Sequence, residues 1–491
     1  MRAAGVARRA DDGDAAGARR DGDARHRVVR GAHRRWDAAA ARGRPVDVRR
    51  TDRTDRRLRA ARERAMGRVH RVGVVGGVPR GLRVLAESVL SYVVMNVLQV
   101  VPYVSYPPRI GGDHRSHGLV KEFPSFGATV YRFCQGGSPG MYKDRDFRRQ
   151  VEIADNYIEF RHLNLIHEST KALMLLGYPN ILAEYSLRLA SDGLQERIEW
   201  ADMVIVREPW QFRTVHKMMP DEIPIVLSSH NVEKERFSEI QQPFFEEWTV
   251  ERVRMLEQFA VDHADAIITT SERDSAIYRG EFGYTGPDIV ASNGTYEDVI
   301  REHRPDSIAA RRLRRRYHID EEATICLFMG SNYKPNVEAA ETVLKMAREL
   351  PEVEFVIMGS VGNALSNKLS CENVTITGYV KDDYEAHFDL ADIALNPIST
   401  GGGTNIKLID YMARSLPVIS TPFGMRGLEL SNRQDIIRSE VTDFAMRIEE
   451  LSKQDTVRQQ IGNSSRRKAQ ELYTWEESSR RVWTEMQTLI E

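Results

Sequence analysis

The stretch that most constrains this chain runs from Asn396 to Ala413, where a short apolar strand, a run of glycines and an amphipathic helix follow one another. Residues 391–395 predict the strand, and Ile406, Ile409 and Ala413 at i, i+3 and i+7 predict one buried helix face. Between them stand Gly401, Gly402 and Gly403. A glycine loop between strand and helix turns backbone N–H groups outward at the positive end of the helix dipole, a setting suited to phosphate. Thr404 and Lys407 fall on the face opposite the buried one, with Asp410 on its flank. Lys407 can reach a phosphate from the first turn, and Asp410, one turn deeper, can accept hydrogen bonds from a ribose. A flexible turn followed by a solvated helix fits the same letters, because glycine runs are common. On this stretch alone both readings stay open.

At 491 residues the chain exceeds what one core usually supports, so two or three domains are expected. The formal net charge of -1 hides an asymmetry, since residues 1–94 hold 24 arginines and no lysine against 11 acidic residues. Residues 1–65 show no sustained apolar period of 2 or 3.6 and lack the means to build a core. One reading is a basic arm for nucleic acid or an acidic membrane surface. The favoured expectation is a disordered or spurious extension, with Met95 as the genuine first residue, because abundant arginine without any lysine looks like nucleotide bias. No cleavable signal is evident. The uncharged run from Ser88 to Pro108 is long enough to raise a membrane span, but Asn96, Gln99, Pro102, Pro107 and Pro108 within it predict a buried strand and loop. Cys134, Cys326 and Cys371 are far apart, which suggests a reducing compartment and neither a disulfide framework nor a zinc site.

After the strand at 96–101, Gly111 and Gly112 would let backbone approach a ligand closely, although a lone Gly-Gly is weak evidence. His114 and His117 lie three apart, but no carboxylate motif nearby supports a metal pair. Residues 201–206 read as a strand ending in a polar loop at Arg207 and Glu208. The strand at 224–227 leads to His230, which would then lie at the carboxyl edge of a sheet, where open α/β folds bind ligands. A histidine that merely caps the next helix is the competing reading. Val253, Leu256, Phe259 and Ala260 have helical spacing, and alternation of strands with helices argues a parallel sheet covered on both faces. Residues 298–320, rich in arginine, predict a solvated helix near a domain boundary. A fresh strand at 324–329 runs into Gly330 and Ser331, then into a helix with Val337, Ala340, Leu344, Ala347 and Leu350 on one face. The pattern repeats at 355–360 and at 374–380, where the strand ends in Gly378, Tyr379 and Val380. These repeats predict a second α/β domain.

In this order and spacing, residues 229–233, 292–294, 330–340, 378–380, 396–413 and 417–427 make the chain from Met95 to about Trp483 resemble a family-4 glycosyltransferase of the GT-B fold. The resemblance implies an α/β fold of two Rossmann-like domains facing a cleft. An acceptor domain would span 95–300 and a donor domain 301–473, with a final helix at 474–491 that in related enzymes often crosses back to the first domain. It also implies hexose transfer from a nucleotide sugar with retention of configuration, needing no metal and no cofactor. Lys407 and the backbone of Gly401, Gly402, Gly403 and Thr404 would hold the diphosphate, Asp410 the ribose, and Gly378, Tyr379 and Val380 the base. Gly112 would approach the donor phosphates, and Gly111, Gly330, Ser331 and Asn405 complete the donor-binding set. His230, contacting the transferred sugar, and Lys407, steadying the leaving diphosphate, would be the catalytic pair.

There is one departure: many members carry two glutamates eight apart, and here those places hold Gly402 and Asp410. That puts in doubt any contact to sugar hydroxyls carried over to position 402. The implied partners are a nucleotide-sugar donor and a glycan, lipid-linked or small acceptor. A cytoplasmic location is expected, peripheral contact with the membrane is allowed, and nucleic acid is not expected. The alternatives are a non-catalytic nucleotide-sugar or nucleic-acid binder and a nucleotide-sugar epimerase. The epimerase would want acidic and basic residues clustered for proton abstraction.

Overall fold

The computed structural model describes residues 95–163, 168–169, 187, 191–239, 246–365 and 371–488, so the Arg-rich segment at 1–94 lies outside the described residues. The first sheet contains β1 (Asn96–Val101), β2 (Thr129–Cys134), β3 (Gln150–Ala154), β4 (Tyr157–Arg161), β5 (Met203–Arg207), β6 (Ile225–Ser228), β7 (Ala266–Thr269) and β8 (Asp288–Val290). Their order is β3-β4-β2-β1-β5-β6-β7-β8, and only the β3–β4 pair is antiparallel. A parallel sheet is buried on both faces, which is why β5 and β6 read as unbroken apolar runs. The period of two sorts those runs between two cores. Leu98, Val100, Val204, Val206 and Leu227 pack on one side of the sheet, and Val97, Met203, Ile205 and Val226 on the other.

Helices of this half include α1 (Gly111–Gly118), α2 (Pro209–His216), α3 (Glu233–Glu239) and α4 (Glu246–His263). The second sheet contains β9 (Thr324–Met329), β10 (Val353–Met358), β11 (Val374–Gly378), β12 (Ile393–Asn396), β13 (Val418–Ser420) and β14 (Ile437–Arg438). It is parallel throughout, in the order β11-β10-β9-β12-β13-β14. Its half of the chain includes helices α5 (Lys334–Glu349), α6 (Ile406–Ala413) and α7 (Asp455–Leu472), and α8 (Trp475–Gln487) closes the sequence of elements. Pro335 sits in the first turn of α5, where its missing N–H costs nothing. The α/β architecture of two parallel-sheet domains expected from the sequence is the one the chain adopts.

In both sheets the chain leaves a central strand toward one edge and later returns to its other side. Those switch points lie between β1 and β5, and between β9 and β12. Crevices form outside the carboxyl ends of strands at such points, and Arg207, Gly330 and the 401–403 loop all stand there.

Helix α8 packs on the first sheet. Val482, Trp483 and Met486 join Val97, Leu119, Phe123 and Val130 in one core, and Ser479 Oγ donates to the Leu119 carbonyl at 3.0 Å. Trp475 is fully buried against Gly118, whose missing side chain makes room for the indole. Among the described residues no helix is long and apolar enough to cross a membrane.

Trp475→Ala should therefore lower the unfolding free energy by about 3–5 kcal/mol. The same change at the exposed Trp248 should stay within about 0.5 kcal/mol. Urea unfolding of both variants checks the pair.

Candidate functional site

The glycine loop is built by backbone conformation and pinned by amides. Gly401 has φ +114° and Gly403 φ +64°, values that favour glycine. Asn405 Nδ2 donates to Asn396 Oδ1 at 2.9 Å, and Asn396 Nδ2 donates to Ser420 Oγ and the Gly424 carbonyl, both at 3.0 Å. These bonds fasten the loop to the carboxyl end of β12. The buried Tyr411 hydroxyl accepts the Met329 N–H at 2.7 Å and fixes α6 to the end of β9.

In the first turn of α6, Lys407 donates to Asn336 Oδ1, and its ammonium lies 4.9 Å from the centre of the Phe328 ring. Asn336 is oriented in turn by donating to the Ser331 carbonyl at 3.2 Å and to Ser331 Oγ at 3.0 Å. Loss of water around the amine lowers its pKa to about 7. An amine held this way gains charge when an anion arrives beside it. The loops after β9, β10 and β11 are knitted together: Gly330 N–H donates to the Met358 carbonyl at 2.9 Å, and Gly359 N–H to the Gly378 carbonyl at 2.8 Å. Next to Gly378 the Tyr379 side chain is 78% exposed, a ring free to stack, followed by the partly buried Val380.

Thr404 corrects the sequence reading. It is not on the helix face opposite the core but buried in the loop that precedes α6, where a loop of the first sheet covers it. Asn293 Nδ2 donates to Thr404 Oγ1 at 2.7 Å. Asp410 is half-buried, accepts from Thr295 Oγ1 at 3.4 Å and lies 3.5 Å from Arg414. Burial raises its pKa against the pull of Arg414 and His114.

The opposing side of the crevice comes from the first sheet. Gly111 approaches Ile406, and Gly112 lies against the Arg207 guanidinium and His230. His230 is buried, and burial together with the charges of Arg207, Arg115 and Arg236 holds its pKa well below the ordinary value, so the imidazole is neutral. It does not cap α3. Glu257 of α4 does that, accepting from the N–H groups of Glu233 at 2.8 Å and Lys234 at 2.9 Å. Asn231 faces Gly402 and Gly403, so the 230–231 turn and the glycine loop meet directly.

Sequence reasoning passed over Arg207, Asn231 and Glu233 as site residues, although the position rule that found His230 applies to all three. His114 and His117 are not a pair, since His114 Nδ1 lies 3.1 Å from the Tyr296 hydroxyl and His117 stacks on Tyr157. A cavity of about 350 Å³ lined by His303, Asp392, Ser415 and Arg458 lies at the amino ends of β12 and β13, away from these groups.

Residues 323–454 match the family model described as glycosyl transferases group 1. Among solved structures, sucrose-phosphate synthase from Thermosynechococcus elongatus is similar at a TM-score of 0.63 and 15% identity, over 80% of this chain and 99% of that one. Anabaena HepE in complex with UDP-glucose is similar at 0.58 and 12%, over 80% and 100%. WaaG, a glycosyltransferase involved in lipopolysaccharide biosynthesis, is similar at 0.55 and 15%, over 78% and 98%. At these identities the likeness shows the fold, and the GT-B resemblance read from the sequence is borne out. No curated protein matches the chain in sequence.

The lowered pKa of Lys407 has a stability consequence. Between pH 7 and the ordinary value of 10.5 the unfolded chain binds a proton that the folded chain does not, so stability rises with pH across that window. The gain is lost progressively as pH falls from 10.5, and is gone below about 7, where both states carry the proton. The stability advantage of Lys407→Met over the parent should be larger at pH 6 than at pH 9, as urea midpoints at the two pH values will show.

Proposed function

We propose that this chain, with its group 1 glycosyl transferase match on a GT-B fold, is a retaining glycosyltransferase. It would move a hexose from a nucleotide sugar to a glycan, lipid-linked or small acceptor, at the cytoplasmic membrane face when that acceptor is a lipid. The observation that carries the reading is Lys407, a desolvated amine in the first turn of the helix behind a glycine loop, on the side of the crevice that faces the first sheet. The structure of HepE with UDP-glucose supports a donor of this class.

In this reading the donor diphosphate lies on the loop N–H groups of 401–403 and on Lys407, with Gly330 and Ser331 beside it. Tyr379 stacks on the base, and Asp410 accepts from the ribose. Gly112 lets backbone come close to the phosphates from the other side. When the bond to the anomeric carbon breaks, negative charge grows on the departing phosphate oxygen. Lys407 and the loop N–H groups are already aimed there, so little reorganisation is needed. A neutral His230 serves as a hydrogen-bonding partner for a hydroxyl of the transferred sugar, and retention follows when the acceptor attacks from the face that the diphosphate leaves.

Calorimetric titration with uridine and guanosine diphosphates tests the donor site. One of them should bind, Lys407→Ala should weaken it by about 10- to 100-fold, and Tyr379→Ala should cost about 1–3 kcal/mol. A folded protein that binds neither nucleotide contradicts the proposal. His230→Ala should lower the rate of transfer and leave diphosphate affinity intact.

A further inference from the structure

Buried polar side chains are normally hydrogen-bonded. At the carboxyl edge of β1, β5 and β6 several are not. Arg207 is buried and uses Nη2 on the Tyr103 hydroxyl at 2.9 Å and on Glu208 at 3.2 Å, while its Nε and Nη1 have no hydrogen-bond partner. Glu233, also buried, accepts from Asn231 Nδ2 at 3.2 Å on Oε1. Its Oε2 makes no hydrogen bond, and Arg236 approaches it only as an ion pair at 3.4 Å. His230 Nε2 is bare in the same way.

The mixture of free groups selects the ligand class. A phosphate wants donors only and would meet Glu233 and Glu208. A cation would meet Arg207 and Arg236. A hydroxyl both donates and accepts, so neighbouring ring hydroxyls match an unused guanidinium edge set beside a carboxylate oxygen that accepts no hydrogen bond. The position selects the moiety. Asn231, which holds Glu233, has its Oδ1 at 2.8 Å from where a Cβ of Gly402 would stand and 2.7 Å from that of Gly403. A sugar carried on a phosphate held by that loop therefore falls against Glu233 and Arg207.

We propose that Glu233 and Arg207 form a hydroxyl-binding subsite for the sugar ring of the donor and decide which nucleotide sugar is accepted. This rests on the transferase reading.

The test compares two affinities in the full chain: that of the nucleoside diphosphate, and that of the tightest binder among its hexose conjugates. Glu233→Gln keeps the shape of the side chain, and Arg207→Lys keeps the charge near Glu208 while removing the free guanidinium edge. Each variant, once its thermal melt shows it folded, should keep diphosphate affinity within about twofold and lose about tenfold in nucleotide-sugar affinity. Glu233→Asp should recover part of that loss. Equal weakening of both ligands, which a merely structural role would give, overturns the subsite, and so does no weakening of either. If the parent protein binds no diphosphate, the transferase reading itself has failed and the subsite falls with it.

Discussion

Backbone meets backbone where the glycine loop of the second sheet touches the 230–231 turn of the first. A Cβ at Gly403 would stand 2.7 Å from Asn231 Oδ1 and 3.0 Å from the His230 carbonyl, and one at Gly402 would stand 2.8 Å from the same Oδ1. A side chain at either position would have to displace the Asn231 amide, and at Gly403, where φ is +64°, it would also press on the His230 carbonyl. Further contacts cross the crevice beside it. Asn293 reaches Thr404, Thr295 reaches Asp410, and Gly111 lies on Ile406. The closeness also excludes water, so a lone amine or imidazole here loses its charge readily, and a charged ligand gains more from each dipole than it would at a surface.

One buried arginine prepares the first sheet for this meeting. Arg115 of α1 donates to the carbonyls of Ala291 at 2.7 Å and Thr269 at 3.0 Å, and to Asn293 Oδ1 at 3.3 Å. It thereby ties the ends of β7 and β8 to α1 and turns Asn293 toward the second sheet. Its burial lowers its own pKa to about 9, which still leaves it charged at neutral pH. The line Arg115–Asn293–Thr404 shows packing inside one domain setting the position of a loop in the other.

What could be read in the sequence was whatever is local. Strands β9 and β12, the glycines at their carboxyl ends and the apolar stripe of α5 each announce themselves within a dozen letters. Gly402 and His230 were singled out by the same rule of position after a strand. Thr404 was misread because helical periodicity was extended to it, whereas it ends the loop before α6 and is covered there by Asn293 of the other domain. The partnership of Lys407 with Asn336 joins residues 71 apart, and that of Asn231 with the glycine loop joins two sheets, so no local pattern carries either. Arg207 and Glu233 escaped notice because an arginine ending a strand and a glutamate opening a helix are ordinary on a surface. Their burial is what makes them unusual.

The central claim is that Lys407 is a desolvated amine waiting for an anionic diphosphate. Calorimetry of the bound nucleoside diphosphate at pH 8, in buffers of different ionisation enthalpy, measures it directly. An amine with a pKa of about 7 is mostly neutral at that pH. Binding should therefore draw close to one proton per site from the buffer, and Lys407→Met should abolish that uptake. Binding with no proton uptake in the parent protein would contradict the account.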